Sequence, residues 1–174
     1  MTSIECMGSS PVQRVVQFRV KPDSDFLKAI AEALKAEGVL AGVFVSGLGA
    51  LKKAIFRNLK VFPETYPVTP EDRLYREVTT PMELVSLTGW VAPTLGGGTE
   101  IHAHFAASTV ENEALVTLGG HLTEGTMCGI KVVVAVLALD DGSVYANEDP
   151  GSKAPDIFFG PKPRAGGSGG NHTW

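Results

Sequence analysis

Residues 132–139, Val-Val-Val-Ala-Val-Leu-Ala-Leu, form the longest apolar run in the chain and end at Asp140-Asp141-Gly142. Eight residues are far short of the roughly 20 that a membrane-spanning helix needs. The β-branched content and the turn signal that follows predict a buried central strand over 129–139. The remaining segments must then supply its neighbours in a sheet. A short last strand is expected near 143–146, after the turn.

Most of the chain reads that way. Residues 12–20 are β-branched and partly alternating, which predicts a first strand. Lys21-Pro22-Asp23-Ser24 supplies a turn and a helix N-cap. Phe26, Leu27, Ile30 and Leu34 then mark one apolar stripe at helical spacing, and Gly38 ends the helix. Val39–Ser46 predicts a second strand, closed by a tight connection at Gly47-Leu48-Gly49-Ala50. No GKS, GKT or GxGxxG motif accompanies those glycines, so a phosphate cradle is not indicated. Residues 51–62 alternate, with Ala54, Phe56 and Phe62 set against Ile55, Leu59 and Val61. Apolar groups on both faces imply burial on two sides or an interface between subunits. Pro63–Asp72 reads as a solvated loop. Strands follow at 75–79, 82–91, 100–109 and 114–118, the middle two joined by a Gly-rich link at 92–98. One helix and about eight strands, many adjacent in sequence, predict an α+β fold with a mostly antiparallel sheet. The expected divisions are an N-terminal extension at 1–11, a domain at 12–150 and a flexible Gly/Pro-rich tail at 151–174. Within that tail Ile157-Phe158-Phe159 is the part expected to dock.

With 44% hydrophobic and 20% charged residues, the 174-residue chain has the composition of one soluble globular domain. Met1–Gly8 lacks the basic and apolar regions of a secretory signal. Cys6 and Cys128 are far apart and form no CxxC, so free thiols and a cytoplasmic location are the expectation. Net charge is −4; the stretch from Gly151 carries +2, which leaves −6 on the first 150 residues. An acidic body repels phosphate backbones and weighs against tight nucleic-acid binding.

The chemistry concentrates in Thr99-Glu-Ile-His-Ala-His-Phe105 and Gly119-Gly-His-Leu122. His102 and His104, two apart in a β-like segment, leave the same face. His121 follows two glycines, where a sharp bend would present its ring from a turn. Three imidazoles with one open position suit a metal ion, and zinc is favoured because imidazole suits it. Nickel, copper and iron remain alternatives. The plainer reading is a polar pair on a solvent-facing strand and a turn residue. Glu100 shares the histidine face and is a candidate orienting acceptor, fourth ligand or general base; Glu83 and Glu124 are further candidates. A cupin-type pattern fails, because Ser108 and Thr109 stand where its Glu would be.

Glu83-Leu-Val-Ser-Leu-Thr-Gly89, Ile101-His-Ala-His104 and Gly119-Gly-His-Leu-Thr-Glu-Gly125, with Gly38–Ala50 before them, resemble the PPC domain (plants and prokaryotes conserved) over about residues 12–146. This domain follows AT-hooks in plant nuclear proteins and stands alone in prokaryotes. The resemblance implies a compact α+β domain that assembles as a homotrimer. It also implies zinc on His102, His104 and His121. The family is conventionally labelled DNA-binding, but in the plant proteins the contact belongs to an Arg-Gly-Arg-Pro core. This chain has no such core, and Gly160-Pro-Lys-Pro-Arg-Ala-Gly166 is only a faint echo of one. The family's usual acid after GGHL is replaced by Ile130-Lys131.

Three functions follow as expectations. The first is a homotrimeric PPC-domain protein whose metal centre is structural or binds a small-molecule or anionic ligand. The second is a zinc-dependent hydrolase or lyase that uses metal-bound hydroxide, with Glu100 or Glu83 moving the proton. The third is DNA binding through the basic tails.

Overall fold

A computed structural model describes residues 3–163. Its elements are β1 (Val12–Val20), α1 (Phe26–Ala36), β2 (Gly42–Leu59), β3 (Arg73–Val78), β4 (Met82–Pro93), β5 (Thr99–Glu111), β6 (Ala114–Leu122), β7 (Met127–Leu139), β8 (Val144–Glu148) and β9 (Pro155–Phe159), with short 3-10 turns at Pro70–Asp72 and Asp141–Ser143. Among the described residues there are thus nine strands, slightly more than expected, and a single α-helix. The fold is α+β with a mostly antiparallel sheet. No helix among these residues is long and apolar enough to cross a membrane.

Seven strands form one sheet in the order β1-β7-β2-β4-β5-β6, with β3 attached to β2, and β6 pairs again with β2. The path β2-β4-β5-β6 therefore closes on itself, which removes an open edge. The returning seam is short: Phe56 faces Leu122 and Arg57 faces His121. β7 lies between β1 and β2, as its apolar run predicts. Only its alternate residues are sealed, however. Val132, Val134 and Val136 are fully buried, whereas Ile130 and Val133 face outward.

The helix caps with Asp25, one residue later than Ser24. One Asp25 carboxylate oxygen accepts from the Lys28 amide and the other from the Gly125 amide, which ties the helix start to the loop after β6. Gly38 follows the last turn at φ +64, the left-handed conformation that glycine adopts without strain. Phe26, Ile30 and Leu34 are buried in one core cluster with the inward residues of β7, and Leu27 packs at its margin.

Two expectations are corrected. Gly47–Ala50 is not a connection, because β2 runs unbroken through it from Gly42 to Leu59. The glycines serve close approach instead. A Cβ on Gly49 would lie 2.1 Å from the Lys131 carbonyl oxygen, and one on Gly47 would lie 2.6 Å from the Leu87 Cβ. The stretch from residue 151 is not all tail either. Pro155–Phe159 forms β9 against β8, Phe158 stacks on Tyr145 at 5.5 Å, and Ile157 packs beside Trp90 on a second small core of Ala41, Ala92, Val144 and Ala146. The apolar side chains of Ile157 and Phe158 outweigh the surrounding Gly/Pro composition. The expected docking of 157–159 is thus met within this chain. Residues 164–174 lie outside the described residues.

Candidate metal centre

β5 presents His102 and His104 outward while Ala103 and Phe105 point into the core, as strand alternation requires. His121 reaches them from a strand and not from a turn: Gly119, Gly120 and His121 all belong to β6. In the β5–β6 register His121 stands directly across from His104, and the closing seam places it across from Arg57. Gly120 makes that seam possible, since a Cβ there would lie 2.9 Å from the Asn58 Oδ1 and 3.2 Å from the Arg57 carbonyl oxygen. Asn58 donates from Nδ2 to the Gly119 carbonyl at 2.9 Å across the same seam. Beneath it, Phe56 and Phe105 stack with centroids 4.7 Å apart and hold β2 and β5 at a fixed spacing.

The three imidazoles converge. One ring nitrogen from each lies within 4.8 Å of the others. Nε2 of His102 and Nε2 of His104 are 3.2 Å apart. Two nitrogens at about 2.0–2.1 Å from a tetrahedral zinc would stand about 3.3 Å apart, which the His102–His104 pair matches, and three imidazoles are a donor type that suits a borderline-soft divalent ion. The rings of His102 and His104 are nearly parallel, 12° apart, and the His121 ring stands edge-on to both. Trp90, across from His102 in the β4–β5 register, backs that ring at 5.4 Å.

All three rings are held toward the neutral, ligand-competent form. Burial pushes His121 down to about 3, helped by Arg57, the other two imidazoles and Arg73. His102 is lowered by burial first and by His104 next, with Asp156 opposing. His104, the most exposed of the three, is lowered by burial and then by Arg57.

The rings border an open cavity of about 240 Å³, whose other walls are Arg57, Asn58, Leu59, Val68 and Arg73. None of these five was singled out from sequence as part of the site. Arg57 was the one within reach, since it alternates out of phase with the inward residues Ala54 and Phe56. Its placement beside His121 depends on a long-range register that no local pattern shows. Val68 arrives from the loop before β3, and Arg73 is the first residue of β3.

None of the three glutamates joins the converging ring nitrogens. Glu100 pairs in register with Ala92 and is not among the groups that converge with the histidines. Glu83 stands across from Ser108 and lines a separate cavity of about 530 Å³. Glu124 forms an ion pair with Lys28 of the helix at 3.0 Å.

The fold is shared with solved structures. A metal-containing protein of Archaeoglobus fulgidus aligns over 90% of this chain and 99% of its own length, with 20% identity and a TM-score of 0.67. A plant- and prokaryote-conserved protein of Pyrococcus horikoshii aligns over 91% and 98%, with 22% identity and a TM-score of 0.67. A candidate DNA-binding protein of Bacteroides thetaiotaomicron aligns over 87% and 96%, with 17% identity and a TM-score of 0.65. At these identities the likeness speaks for the fold. No curated protein matches the chain. The family model of the Plants and Prokaryotes Conserved (PCC) domain, the family called PPC above, matches residues 7–140. The chain belongs to the PCC-domain family.

Proposed function

We propose that this chain is a metal-holding PCC-domain protein that binds a small ligand beside a zinc ion carried by His102, His104 and His121. The convergence of three imidazoles on one cavity carries this reading. A purely structural ion is ordinarily enclosed by four protein ligands, whereas three ligands beside an open cavity leave a position for something else. The metal-containing relative from Archaeoglobus is consistent with an ion in this fold. When bound, zinc would supply Lewis acidity; the chain's own contribution is to hold three neutral imidazoles and to shape the cavity beside them.

Assembly into a homotrimer is part of the same proposal. Leu48 and Val133 are cross-strand partners, and both are exposed on the outward face of β2 and β7. Val110, Leu115 and Ile130 are exposed around the second cavity. Apolar surface grouped in this way supports a protein–protein contact. Light scattering on the purified protein should give three times the chain mass, and a monomer in dilute solution would remove this part of the reading.

The metal test is elemental analysis of the purified protein beside a His102→Ala/His104→Ala variant. About one zinc per chain is expected in the parent and almost none in the variant. An unchanged metal content in the variant, or a parent that takes up no divalent ion, would end the proposal.

The open cavity also favours a second reading, hydrolysis or lyase chemistry at the same ion. In that reading Glu100, two positions before His102 on β5, would move the proton, while Glu83 lines the other cavity. Metal-dependent turnover of activated esters, lost in the double histidine variant, would support it; equal turnover in the two proteins would not.

A further inference from the structure

We propose that the cavity beside the histidines takes a small organic acid, its carboxylate held by Arg57 and Arg73 and its apolar body against Leu59 and Val68. The inference rests on the metal-centre reading and names the ligand class for that site.

The charge of the lining is the first ground. Among the described residues, two guanidinium groups and no carboxylate border the cavity. Among the described residues neither arginine forms an ion pair; those present involve Arg14, Arg76 and four lysines. Arg57 has the Tyr75 hydroxyl as a side-chain partner. Asp72, next to Arg73 in sequence, commits its Oδ2 to the amide and the hydroxyl of Thr69, each at 2.8 Å. Asp156 acts on His102 from β9 and is not part of the lining.

Burial is the second ground. Arg57 sits between β3 and β6, facing Tyr75 on one side and His121 on the other. Arg57 and Arg73 are both half-buried and a guanidinium stays protonated, so the site holds partly desolvated positive charge; the acid that acts on Arg73, Asp72, is outside the lining. A planar carboxylate matches the paired N–H donors of arginine and would relieve that cost.

Size and polarity are the third ground. About 240 Å³ lies below the roughly 300–1,000 Å³ typical of drug-sized sites, which points to a ligand of few atoms. Leu59 and Val68 give it an apolar wall that a bare inorganic anion would not use.

Calorimetric titration of zinc-loaded protein with isobutyrate, isobutyramide and inorganic phosphate tests the assignment. Isobutyrate should bind once per chain, and the uncharged amide about tenfold more weakly or worse. Arg57→Gln/Arg73→Gln should lose about tenfold or more while keeping its zinc, and Arg57→Lys/Arg73→Lys should fall between. Should the Gln variant fail to fold, Leu59→Asp places a carboxylate at the half-exposed cavity wall and should abolish isobutyrate binding. Equal binding of isobutyramide, unchanged binding in a zinc-replete Gln variant or in Leu59→Asp, or tighter binding of phosphate would each overturn the assignment. A parent that carries no zinc but binds isobutyrate through the arginines would overturn the metal reading alone and leave the anion assignment standing.

Discussion

The two ends of this molecule are built to opposite rules. Where α1 meets β7, Phe26, Ile30, Val132, Val134 and Val136 are completely shielded, and the polar groups present are tied up by caps such as Asp25. At the end where β6 returns to β2, three imidazoles, that of His104 exposed, and two half-buried guanidiniums stand around an open cavity. The first end is where burial of apolar surface stabilises the fold. The second accepts desolvated polar groups that add nothing to stability unless something binds them. Changes at the first should therefore be read in folding, and changes at the second in binding.

The sharpest challenge to that division is Gly49→Ala. The added Cβ would meet the Lys131 carbonyl at 2.1 Å, and φ at this position is +147, so neither strand can yield. Soluble folded protein should be lost, and a variant with a wild-type melting curve would show that the β2–β7 approach is not as tight as described. Phe26→Ala comes next, with an expected loss of about 3–5 kcal/mol in urea denaturation and no change in zinc per folded chain. A fall in zinc content under native conditions would blur the two ends together.

At the histidine end, His102→Ala/His104→Ala should leave metal-free stability within about 1 kcal/mol of the parent, as befits half-exposed positions. Added zinc should then raise the melting temperature of the parent and not of the variant, because an ion that binds only the folded chain stabilises it by mass action. In the metal-free protein, acidity should act through the three imidazoles and most strongly through His121. Its folded pKa, about 3, is below the ordinary value, so between about 6.5 and 3 the unfolded chain binds the extra proton and stability declines as pH falls. His121→Asn should flatten that slope, and an unchanged slope would assign it to His102, His104 or the carboxylates instead. The smallest effect separates the thiols. Burial pushes Cys128 up to about 11, while Cys6 is exposed. Alkylation at pH 8 should label Cys6 in the native protein and Cys128 only after unfolding.

What the sequence disclosed follows from the range of the interactions involved. β1 and the helix were legible because alternation and the Phe26, Ile30, Leu34 stripe are local patterns. The shared face of His102 and His104 was legible for the same reason, as strand geometry fixes it. The nature of β2 was not: Gly47 and Gly49 look like a turn until the strands crossing them are known. His121 was correctly grouped with the pair but placed on the wrong local structure, since its glycines serve the approach of β2 and not a bend. Arg57 and Arg73 went unnoticed because nothing in their neighbourhoods marks them; only the β2–β6 register brings Arg57 to the rings. β9 was hidden by a Gly/Pro-rich context, although its aromatic pair carried the signal.

The return of β6 to β2 rests on just two register pairs, and His121 belongs to one of them. The third ring thus takes up its position only when that narrow junction has zipped shut. Occupancy of the imidazole cluster and integrity of the junction must then rise and fall together, each lending the other free energy. An ion held there would behave as a clasp on the strand circuit, and its release would be felt first as fraying between Arg57 and His121.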